Sequence, residues 1–513
     1  MKKTFLTIVC FLCATLCAAQ GISYHQGDKV NKKAYAPGFI HLVPAADGTH
    51  LISVEPNMKA VYFKEIYNGA GQVVKKANNG VKGIKVRIVD SEWNESASVD
   101  IEDTKGYLVC AAFRNDNILH IILGNDENED DQVLIRHITL NAQTLAILSD
   151  QKLVDVQCEK KEKSYYLTAQ SPDEQHFGLI YTVYNKKEKT VQTIAQLYDR
   201  DMNRLWEHEL YYGAIDQMLV SNQGTISTAC LVDNEEANGE TVFLLNATDG
   251  LKSQHGEFTV PHDIEQVALL NHNGSRILTS TLEGKLGHSI LTERKYTGIH
   301  AYLFDLESQQ LVYDTAYQFT SDDIHIFDNT TIDLFVHSKT SEFIMLRDRV
   351  TTPDGGAVLY QKSWKSVTRD VKTGMSSNES IHNMGMLLAN IDTTGHIKWI
   401  RGIRQDNQNG GLTPPVNCDL FRHGDNLYVI TNESKGDSDT YDPSRPAHRG
   451  IKLLKANSAL AIYYFTPDGV GAKQMLQRDG THILLSTILC GANGKYHFLT
   501  GAMRPKISSI TIP

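Results

Sequence analysis

Short runs of apolar residues, most of them alternating with polar residues, recur along nearly the whole chain. The runs are five to nine residues long and rich in Val, Ile, Leu, Tyr, Phe and Thr, with Asn, Asp and Gly between them. Four runs follow one another between Tyr107 and Asp150, namely YLVCAAF, HIILG, VLIRHITL and LAILSD. A period of two interrupted by turn residues is typical of antiparallel strands joined by tight turns. The pattern therefore predicts an all-β protein.

Two kinds of hairpin alternate along the chain. Seven outer hairpins carry Asn or Asp at the turn, around Asn68, Asn141, Asp199, Asp249, Asp305, Asp392 and Asp468. Each follows a more apolar inner hairpin, the sixth of which is predicted in the run IDLFVHSKTSEFIMLR at 332–347. An eighth inner hairpin lies at 481–501, and the strand KISSITI follows it. Four-stranded units at a spacing of roughly 45–90 residues are typical of propeller blades.

The number of hairpins predicts how the ring closes. Eight inner hairpins, seven outer hairpins and one further strand predict a β-propeller of four-stranded antiparallel blades, with eight blades favoured. An N-terminal strand near residues 22–35 would complete the last blade, because an open array would leave sheet edges unpaired. Seven blades would result if the tail packs elsewhere, and two β-sandwiches are a third solution. Residues 20–513 are expected to form this single domain, with long loops at 284–298, 350–383 and 433–457.

Two outer hairpins share a more specific pattern. In ANIDTTGHIKW, Asp392 and Gly395 occupy the turn and Trp399 follows Asp392 by seven residues; Asp199 and Trp206 have the same spacing in LYDRDMNRLW. This pattern resembles the blade repeat of quinoprotein-type propellers among bacterial secreted proteins. The resemblance implies that each tryptophan packs between neighbouring blades. It does not extend to the quinone site, because the sequence lacks a vicinal cysteine pair, and no cofactor is expected.

The first residues have the features of a secretory signal peptide. Lys2 and Lys3 precede an apolar stretch at 5–16, and residues 17–19 are the small residues that a signal peptidase prefers. The stretch is too short to span a bilayer, and no later transmembrane segment is predicted. Residues 1–19 are thus expected to be a signal peptide. The protein is expected to be exported to the periplasm, the outer membrane or the cell exterior, with peripheral membrane association left open.

Net charge, cysteine content and the motifs that are missing exclude several kinds of partner and site. The formal net charge of −10 argues against nucleic acid as a partner. Five widely spaced cysteines follow the signal peptide, most of them in apolar runs, and this odd number is no disulfide framework. They are expected to be buried thiols. The sequence after the signal peptide contains no Cys-x-x-Cys, no Gly-x-Ser-x-Gly and no His-Glu-x-x-His, so neither a metal site nor a catalytic residue is predicted.

The three long loops are the predicted binding surface. They lie in successive blades between the second and third strands, and such loops emerge on one face of a propeller. Their charged residues sum to a positive charge on an acidic chain. The candidate contact residues are Tyr296, Tyr360, Trp364, Lys365, Tyr441, Arg445 and Arg449.

These observations predict a non-catalytic binding or scaffold module of the bacterial cell envelope, with a protein or glycan as its partner. The alternative is a glycan-acting hydrolase or lyase with a site over the central channel. That alternative requires Asp, Glu, His and Tyr to converge at the mouth of the channel.

Overall fold

The chain folds into a ring of small antiparallel sheets, as its alternating pattern predicts. The computed structural model describes residues 22–26, 40–58, 66–67, 73–75, 81–125, 132–157, 166–185, 190–233, 240–285, 295–320, 339–352, 354–369, 376–410, 418–434, 440–441, 451–452, 458–480, 489–490, 494–500 and 506–513. The predicted signal peptide lies outside these residues. Among the described residues, no helix is long and apolar enough to cross a membrane.

The first four blades follow strand β1 (Ser23–Gln26). Blade 1 contains β2 (His41–Pro44), β3 (Leu51–Met58), β6 (Val81–Val89) and β7 (Glu95–Ile101), with the two-stranded sheet β4 (Ile66–Tyr67) and β5 (Val73–Lys75) inserted. Blade 2 contains β8 (Tyr107–Asn115), β9 (Ile118–Asn125), β10 (Gln132–Asn141) and β11 (Ile147–Gln157). Blade 3 contains β12 (Tyr166–Gln170), β13 (His176–Asn185), β14 (Thr190–Asp199) and β15 (Arg204–Glu209). Blade 4 contains β16 (Gln217–Val220), β17 (Ile226–Asp233), β18 (Thr241–Thr248) and β19 (Ser253–Val260).

The remaining blades include one with a fifth strand and one that joins the two chain ends. Blade 5 contains β20 (Ile264–Asn273), β21 (Arg276–Lys285), β22 (Lys295–Asp305) and β23 (Gln310–Gln318). Blade 6 contains β24 (Lys339–Thr352), β25 (Gly355–Arg369), β26 (Ser376–Asp392) and β27 (Ile397–Gly410). Blade 7 contains β28 (Cys418–His423), β29 (Asn426–Ser434), β31 (Ser458–Phe465) and β32 (Gly471–Gly480), while β30 (Ile451–Lys452) joins blade 6. Blade 8 contains β33 (Leu489–Cys490), β34 (Lys495–Thr500), β35 (Lys506–Thr511) and β1.

The eighth blade closes the ring with strands from both ends of the chain. Strand β1 pairs antiparallel with β35, with Tyr24 opposite Ile510. The chain start thus supplies the outermost strand, and the chain end supplies the other three. The predicted fold class, an all-β propeller of four-stranded antiparallel blades, is confirmed.

The apolar core lies between the blades. Eight clusters of buried residues each join two consecutive blades. One of them packs Leu42 and Leu51 of blade 1 against Leu499 and Ile507 of blade 8. Because a blade buries both faces only when it has two neighbours, stability depends on a complete ring.

Two predicted hairpins differ from the observed ones. The outer hairpin of blade 1 is β6–β7, with Asp90 at its turn, and the run around Asn68 forms the inserted sheet β4–β5 instead. The inner hairpin of blade 6 is β24–β25, so the predicted long loop at 350–383 consists largely of strand. Its polar run KSWKSV at 362–367 lacks apolar alternation, yet its backbone pairs with both neighbouring strands.

The propeller has two distinct faces because its strands are antiparallel. Turns between first and second strands, and between third and fourth strands, emerge together on one side, which we call the turn face. Connections between second and third strands, and those from one blade to the next, emerge on the opposite side, which we call the loop face.

The repeated aspartate shapes the turns between third and fourth strands. Asp392 Oδ1 accepts hydrogen bonds from the backbone N–H of Thr394 (2.9 Å) and His396 (3.0 Å). Asp199 Oδ1 likewise accepts from the backbone N–H of Asp201 (2.9 Å) and Asn203 (2.8 Å). Such side-chain bonds favour turns over continued strand. Gly395 completes its turn with a φ of 91°.

Each repeat tryptophan packs on a bare glycine of the next blade. Trp399 on β27 is 7% exposed, and its Nε1 donates to the carbonyl of Pro467 in blade 7 at 2.8 Å. A Cβ added to Gly469 would lie 2.6 Å from Trp399 Cγ, so only glycine fits below the ring. Trp206 packs on Gly250 of blade 4 in the same way. These tryptophans are therefore packing residues between blades.

Candidate functional site

Blade 6 projects further on the loop face than its neighbour. Its second and third strands contain 15 and 17 residues, whereas those of blade 5 contain 10 and 11. The pairing starts at the turn face with Gly355 opposite Asp392 and continues to Arg369 opposite Ser376. At about 3.3 Å per residue, the second strand of blade 6 extends roughly 16 Å beyond that of blade 5. The surplus length lies on the loop face.

The insertion of blade 7 joins this projection. Strand β30 lies in the connection between the second and third strands of blade 7, and it pairs in parallel with Asn407 and Gln408 of β27. The same connection is anchored by Tyr441, whose hydroxyl donates to the carbonyl of Gly402 at 2.9 Å. The Tyr441 ring also packs edge-on against Phe465, with ring centres 5.4 Å apart. Blades 6 and 7 thus share one structure on the loop face.

The predicted contact residues do not all lie on this surface. Tyr360 is 1% exposed, and its hydroxyl lies 3.0 Å from Ser280 Oγ in the interface between blades 5 and 6. Burial raises its pKa well above the usual value. The prediction of Tyr360 as a surface contact is therefore wrong, because the residue lies in the middle of β25, where the blades pack. Tyr441 serves mainly to anchor its own connection.

The other predicted contacts lie on the projecting elements or outside the described residues. Trp364 and Lys365 belong to the projecting half of β25, opposite His382 and Ile381 of β26. Tyr296 lies at the start of β22, opposite Gly284. Arg445 and Arg449 lie outside the described part of the chain. The loop-face position of Trp364, Lys365 and Tyr296 keeps them as candidate contacts.

A second feature lies at the base of the blade 5 loop, and we call it the imidazole–carboxylate cluster. It consists of His262, Glu283, His300 and Asp314. Glu283 Oε1 lies 3.4 Å from His262 Nδ1, and Glu283 Oε2 lies 3.2 Å from His300 Nε2. On the other side, Asp314 Oδ1 lies 3.5 Å from His300 Nδ1, and Asp314 Oδ2 lies 4.0 Å from His262 Nε2. Each histidine thus lies between two carboxylates.

The register of blade 5 brings three members of the cluster together. His300 lies on β22, where it is paired with Thr281 on β21 and with Ala316 on β23. Glu283 and Asp314 occupy diagonal positions on the same face of the sheet, one on each side. Diagonal neighbours on one face are within reach of long side chains. The small side chain of Ala316 leaves space for the imidazole.

His262 reaches the cluster from the connection between blades 4 and 5. Thr241 fixes that connection, since its hydroxyl donates to the His262 carbonyl at 2.8 Å and accepts from the Ile264 N–H at 3.0 Å. His300 is 1% exposed, whereas the side chains of His262 and Asp314 are 26% and 36% exposed. The cluster is therefore buried at His300 and open to solvent at Asp314.

Glu283 is held as a carboxylate. Burial by itself would raise its pKa, but hydrogen bonds from Thr297 and His300 outweigh burial, and the pKa is lowered overall. Gln318 also donates to Glu283 Oε2 at 3.5 Å. Sequence reasoning missed this cluster and predicted no metal ligands, because no spacing motif joins positions that only strand register brings together.

The turn face carries a depression at the mouth of the channel. Its volume is about 320 Å³, and turns of blades 3 to 7 line it with Pro172, Leu219, Ser221, Asn222, Gln223, Asn271, His272, Asn273, Thr351, Thr352, Thr393 and Arg422. Burial lowers the pKa of His272, which favours its neutral form. Amides and hydroxyls dominate this lining, and no carboxylate occurs among the described residues that form it.

Comparisons with known proteins assign no family to this chain. No protein-family model and no curated protein sequence matches the chain. Similar solved structures include the WD40 domain of SCAP from fission yeast, with 8% identity, a TM-score of 0.37 and coverage of 96% of this chain and 95% of that one. The N-terminal domain of Nup159 shares 9% identity at a TM-score of 0.32, with 96% of each chain covered.

A third similar structure is the β-propeller domain of the Trilobed protease from Pyrococcus furiosus. It shares 11% identity at a TM-score of 0.33, with 79% of this chain and 95% of that chain covered. Likenesses at such scores carry no functional argument. The fold assignment rests on the strand pairing and on the clusters between blades.

Proposed function

We propose that this protein is an exported, non-catalytic β-propeller that acts as a binding or scaffold module in the bacterial cell envelope. Its partner surface is the loop face of blades 5, 6 and 7, and its partner is a protein or a glycan. The observation that carries the proposal is the projecting hairpin β25–β26, which is fixed to the blade 7 insertion by strand β30.

The projection is suited to binding because it is pre-organised. Backbone hydrogen bonds to β24 and β27 hold β25 and β26 along most of their length. A partner therefore meets an ordered surface, and the entropy loss on binding is small. The core between blades 5, 6 and 7 contains residues from the inner halves of these strands, such as Leu359 and Leu387. The outer halves, which extend beyond the strand lengths of blade 5, are the part that we assign to recognition.

The net charge of the loop segments also supports the loop face as the binding surface. The loop segments at 284–298 and 433–457 and the outer part of the blade 6 hairpin at 361–383 are net positive, while the whole chain has a formal charge of −10. A local patch of opposite sign steers anionic partners and suppresses wrong ones. The partner is therefore expected to present acidic groups, either as side chains or as acidic sugars.

Two further observations favour binding over catalysis. The described cysteines Cys110, Cys230 and Cys418 are free, and burial raises the pKa of Cys230 and Cys418 to about 12, so neither supplies a thiolate at neutral pH. The described lining of the channel mouth consists mainly of amide and hydroxyl groups. A glycan-acting hydrolase would place two carboxylates around its substrate. The lining of this depression supports hydrogen bonding to a polar ligand instead.

The test is capture of the partner from the envelope fraction of the source organism, with identification by mass spectrometry. The test variant combines Lys365→Ala, Arg445→Ala and Arg449→Ala. The matched control variant removes three cationic side chains of the turn face with Arg200→Ala, Lys252→Ala and Arg276→Ala.

The wild type and the control variant should retain the same partners, and the loop-face variant should lose them. Equal capture by all three proteins would refute the loop face as the binding surface. Turnover of an envelope glycan by the purified wild type would refute the non-catalytic assignment.

A further inference from the structure

We propose that the imidazole–carboxylate cluster of blade 5 is a binding site for a divalent transition-metal ion, best matched by Zn²⁺. The ligands are His262 Nε2, His300 Nδ1 and the carboxylate of Asp314. Glu283 does not bind the ion but orients both histidines. This inference is independent of the partner surface proposed above.

The positions of the protons follow from Glu283. Its two carboxylate oxygens face His262 Nδ1 at 3.4 Å and His300 Nε2 at 3.2 Å. A carboxylate only accepts hydrogen bonds, so a metal ion on the Asp314 side would leave the single proton of each neutral imidazole on the nitrogen that faces Glu283. A neutral imidazole with one protonated nitrogen presents a lone pair on the other. The lone pairs of His262 Nε2 and His300 Nδ1 are thus fixed in direction.

Both lone pairs converge on another acceptor. Asp314 Oδ2 lies 4.0 Å from His262 Nε2, and Asp314 Oδ1 lies 3.5 Å from His300 Nδ1. One ligand atom from each of these three residues can be chosen so that all lie within 4.8 Å of one another. Three acceptors facing one point repel each other unless that point holds a metal ion or the two imidazoles are protonated towards Asp314.

The spacing fits a single small ion. Zinc binds imidazole nitrogen at about 2.0–2.1 Å and carboxylate oxygen at about 2.0–2.2 Å, which separates tetrahedral ligands by about 3.3 Å. The imidazole–carboxylate separations are 3.5 and 4.0 Å, and the three chosen ligand atoms lie within 4.8 Å of one another. Binding therefore requires the ligands to close by up to about 1.5 Å around the ion. Two imidazoles with one carboxylate suit zinc better than calcium or magnesium, which prefer oxygen ligands.

Glu283 supplies the outer contacts that metal-binding histidines usually have. Such histidines donate their second N–H to a carboxylate or carbonyl, which fixes the tautomer. Here one carboxylate serves both histidines, and Gln318 in turn donates to Glu283 Oε2 at 3.5 Å. With three protein ligands, the fourth position of a zinc ion would face the solvent beside Asp314, which is 36% exposed. A water molecule or a partner's side chain can occupy that position.

An ion at this point would join two strands of blade 5, β22 and β23, to the connection from blade 4. It would also lie at the base of the loop that starts after Lys285, which is part of the proposed loop-face surface. The competing explanation is a metal-free ion-pair network in which the histidines are imidazolium ions. The two explanations differ in whether the protein binds zinc.

The test uses the complete mature protein after removal of metals with a chelator. Zn²⁺ is titrated into it by isothermal titration calorimetry, and Co²⁺ is titrated separately and followed by visible absorption. His262→Gln and Asp314→Asn each remove a proposed ligand. Glu283→Gln removes the carboxylate that orients the two histidines. The control is Asp100→Asn, an exposed aspartate on the outermost strand of blade 1. Circular dichroism checks the fold of each variant.

The wild type and Asp100→Asn should bind one equivalent of Zn²⁺, and Co²⁺ should produce the absorption bands of a nitrogen- and oxygen-ligated site. His262→Gln and Asp314→Asn should abolish saturable binding, and Glu283→Gln should weaken it roughly 10–100-fold. Absence of stoichiometric binding to the wild type would overturn the proposal. Wild-type affinity in folded Asp314→Asn or His262→Gln would also overturn it, as would equal thermal destabilisation of the variants with and without zinc.

Discussion

The contact between blades 6 and 7 at Trp399 gives a quantitative test of the ring. The Trp399→Ala variant removes a ring that is 7% exposed and stacks on Phe465, with ring centres 5.9 Å apart. It also removes the hydrogen bond to the Pro467 carbonyl. Truncation of a buried tryptophan costs about 3–5 kcal/mol. Because Gly469 has no side chain to fill the space, we expect little relaxation and a loss in this range.

The assay is equilibrium unfolding in guanidinium chloride, followed by tryptophan fluorescence and circular dichroism. Trp399→Phe keeps most of the ring but loses the N–H donor, so it should lose about 1 kcal/mol beyond a small packing change. Leu251→Ala is the control, because Leu251 is 98% exposed and its truncation should change stability by less than about 0.5 kcal/mol.

A graded series, with Trp399→Ala least stable and Leu251→Ala equal to wild type, agrees with a packing role between blades. If Trp399→Ala loses less than about 1 kcal/mol, the contact does not hold the blades together, and the account of the repeat tryptophan is refuted.

Three further predictions concern other parts of the ring. Deletion of Ser23–Gln26 leaves the edge of β35 unpaired. Limited proteolysis of this variant should therefore begin at a lower denaturant concentration than proteolysis of the wild type. Unchanged resistance to proteolysis would contradict closure of the ring by β1. Lys473→Met removes the ion pair with the buried Glu433 carboxylate, and unfolding experiments should show a loss of roughly 3–5 kcal/mol that adding Glu433→Gln largely restores. No recovery in the double variant would contradict the pairing. Burial and the neighbouring His120 lower the pKa of His137 to about 4, so an unfolded chain takes up a proton below about pH 6.5 that the folded chain excludes. Stability should therefore fall by up to roughly 3 kcal/mol between pH 7 and pH 4, and a pH series with His137→Gln should show a smaller fall.

The sequence predicts those features that depend on local chemistry. Asp392 and Gly395 form a turn with their own neighbours, so a short motif suffices to place them. Trp399 is found by its spacing from that turn, and the repeat predicts that it packs between blades. Its partner Gly469 is seen only in the structure.

Strand segments that lack apolar alternation are not recognised from the sequence. The outer half of β25 is polar, so its sequence resembles a loop although its backbone is paired with β26. The sequence places Tyr360 in a loop for a different reason, because no turn signal marks the start of β25 within the long segment at 350–383.

The imidazole–carboxylate cluster depends on register, which the sequence does not state. Glu283 precedes a register shift at Gly284. A slip of one residue would move Glu283 to the opposite face of the sheet and separate it from His300. Such a site becomes visible only when the strands of blade 5 are aligned.

The central functional claim is that the loop face of blades 5 to 7 binds a partner. Site-specific photocrosslinking in the source organism tests it most directly, with a photoreactive residue placed at Trp364 on the loop face or at Leu251 on the turn face. We expect a discrete crosslinked product from position 364 and none from position 251. Crosslinks from position 251 alone would place the partner on the turn face and contradict the account.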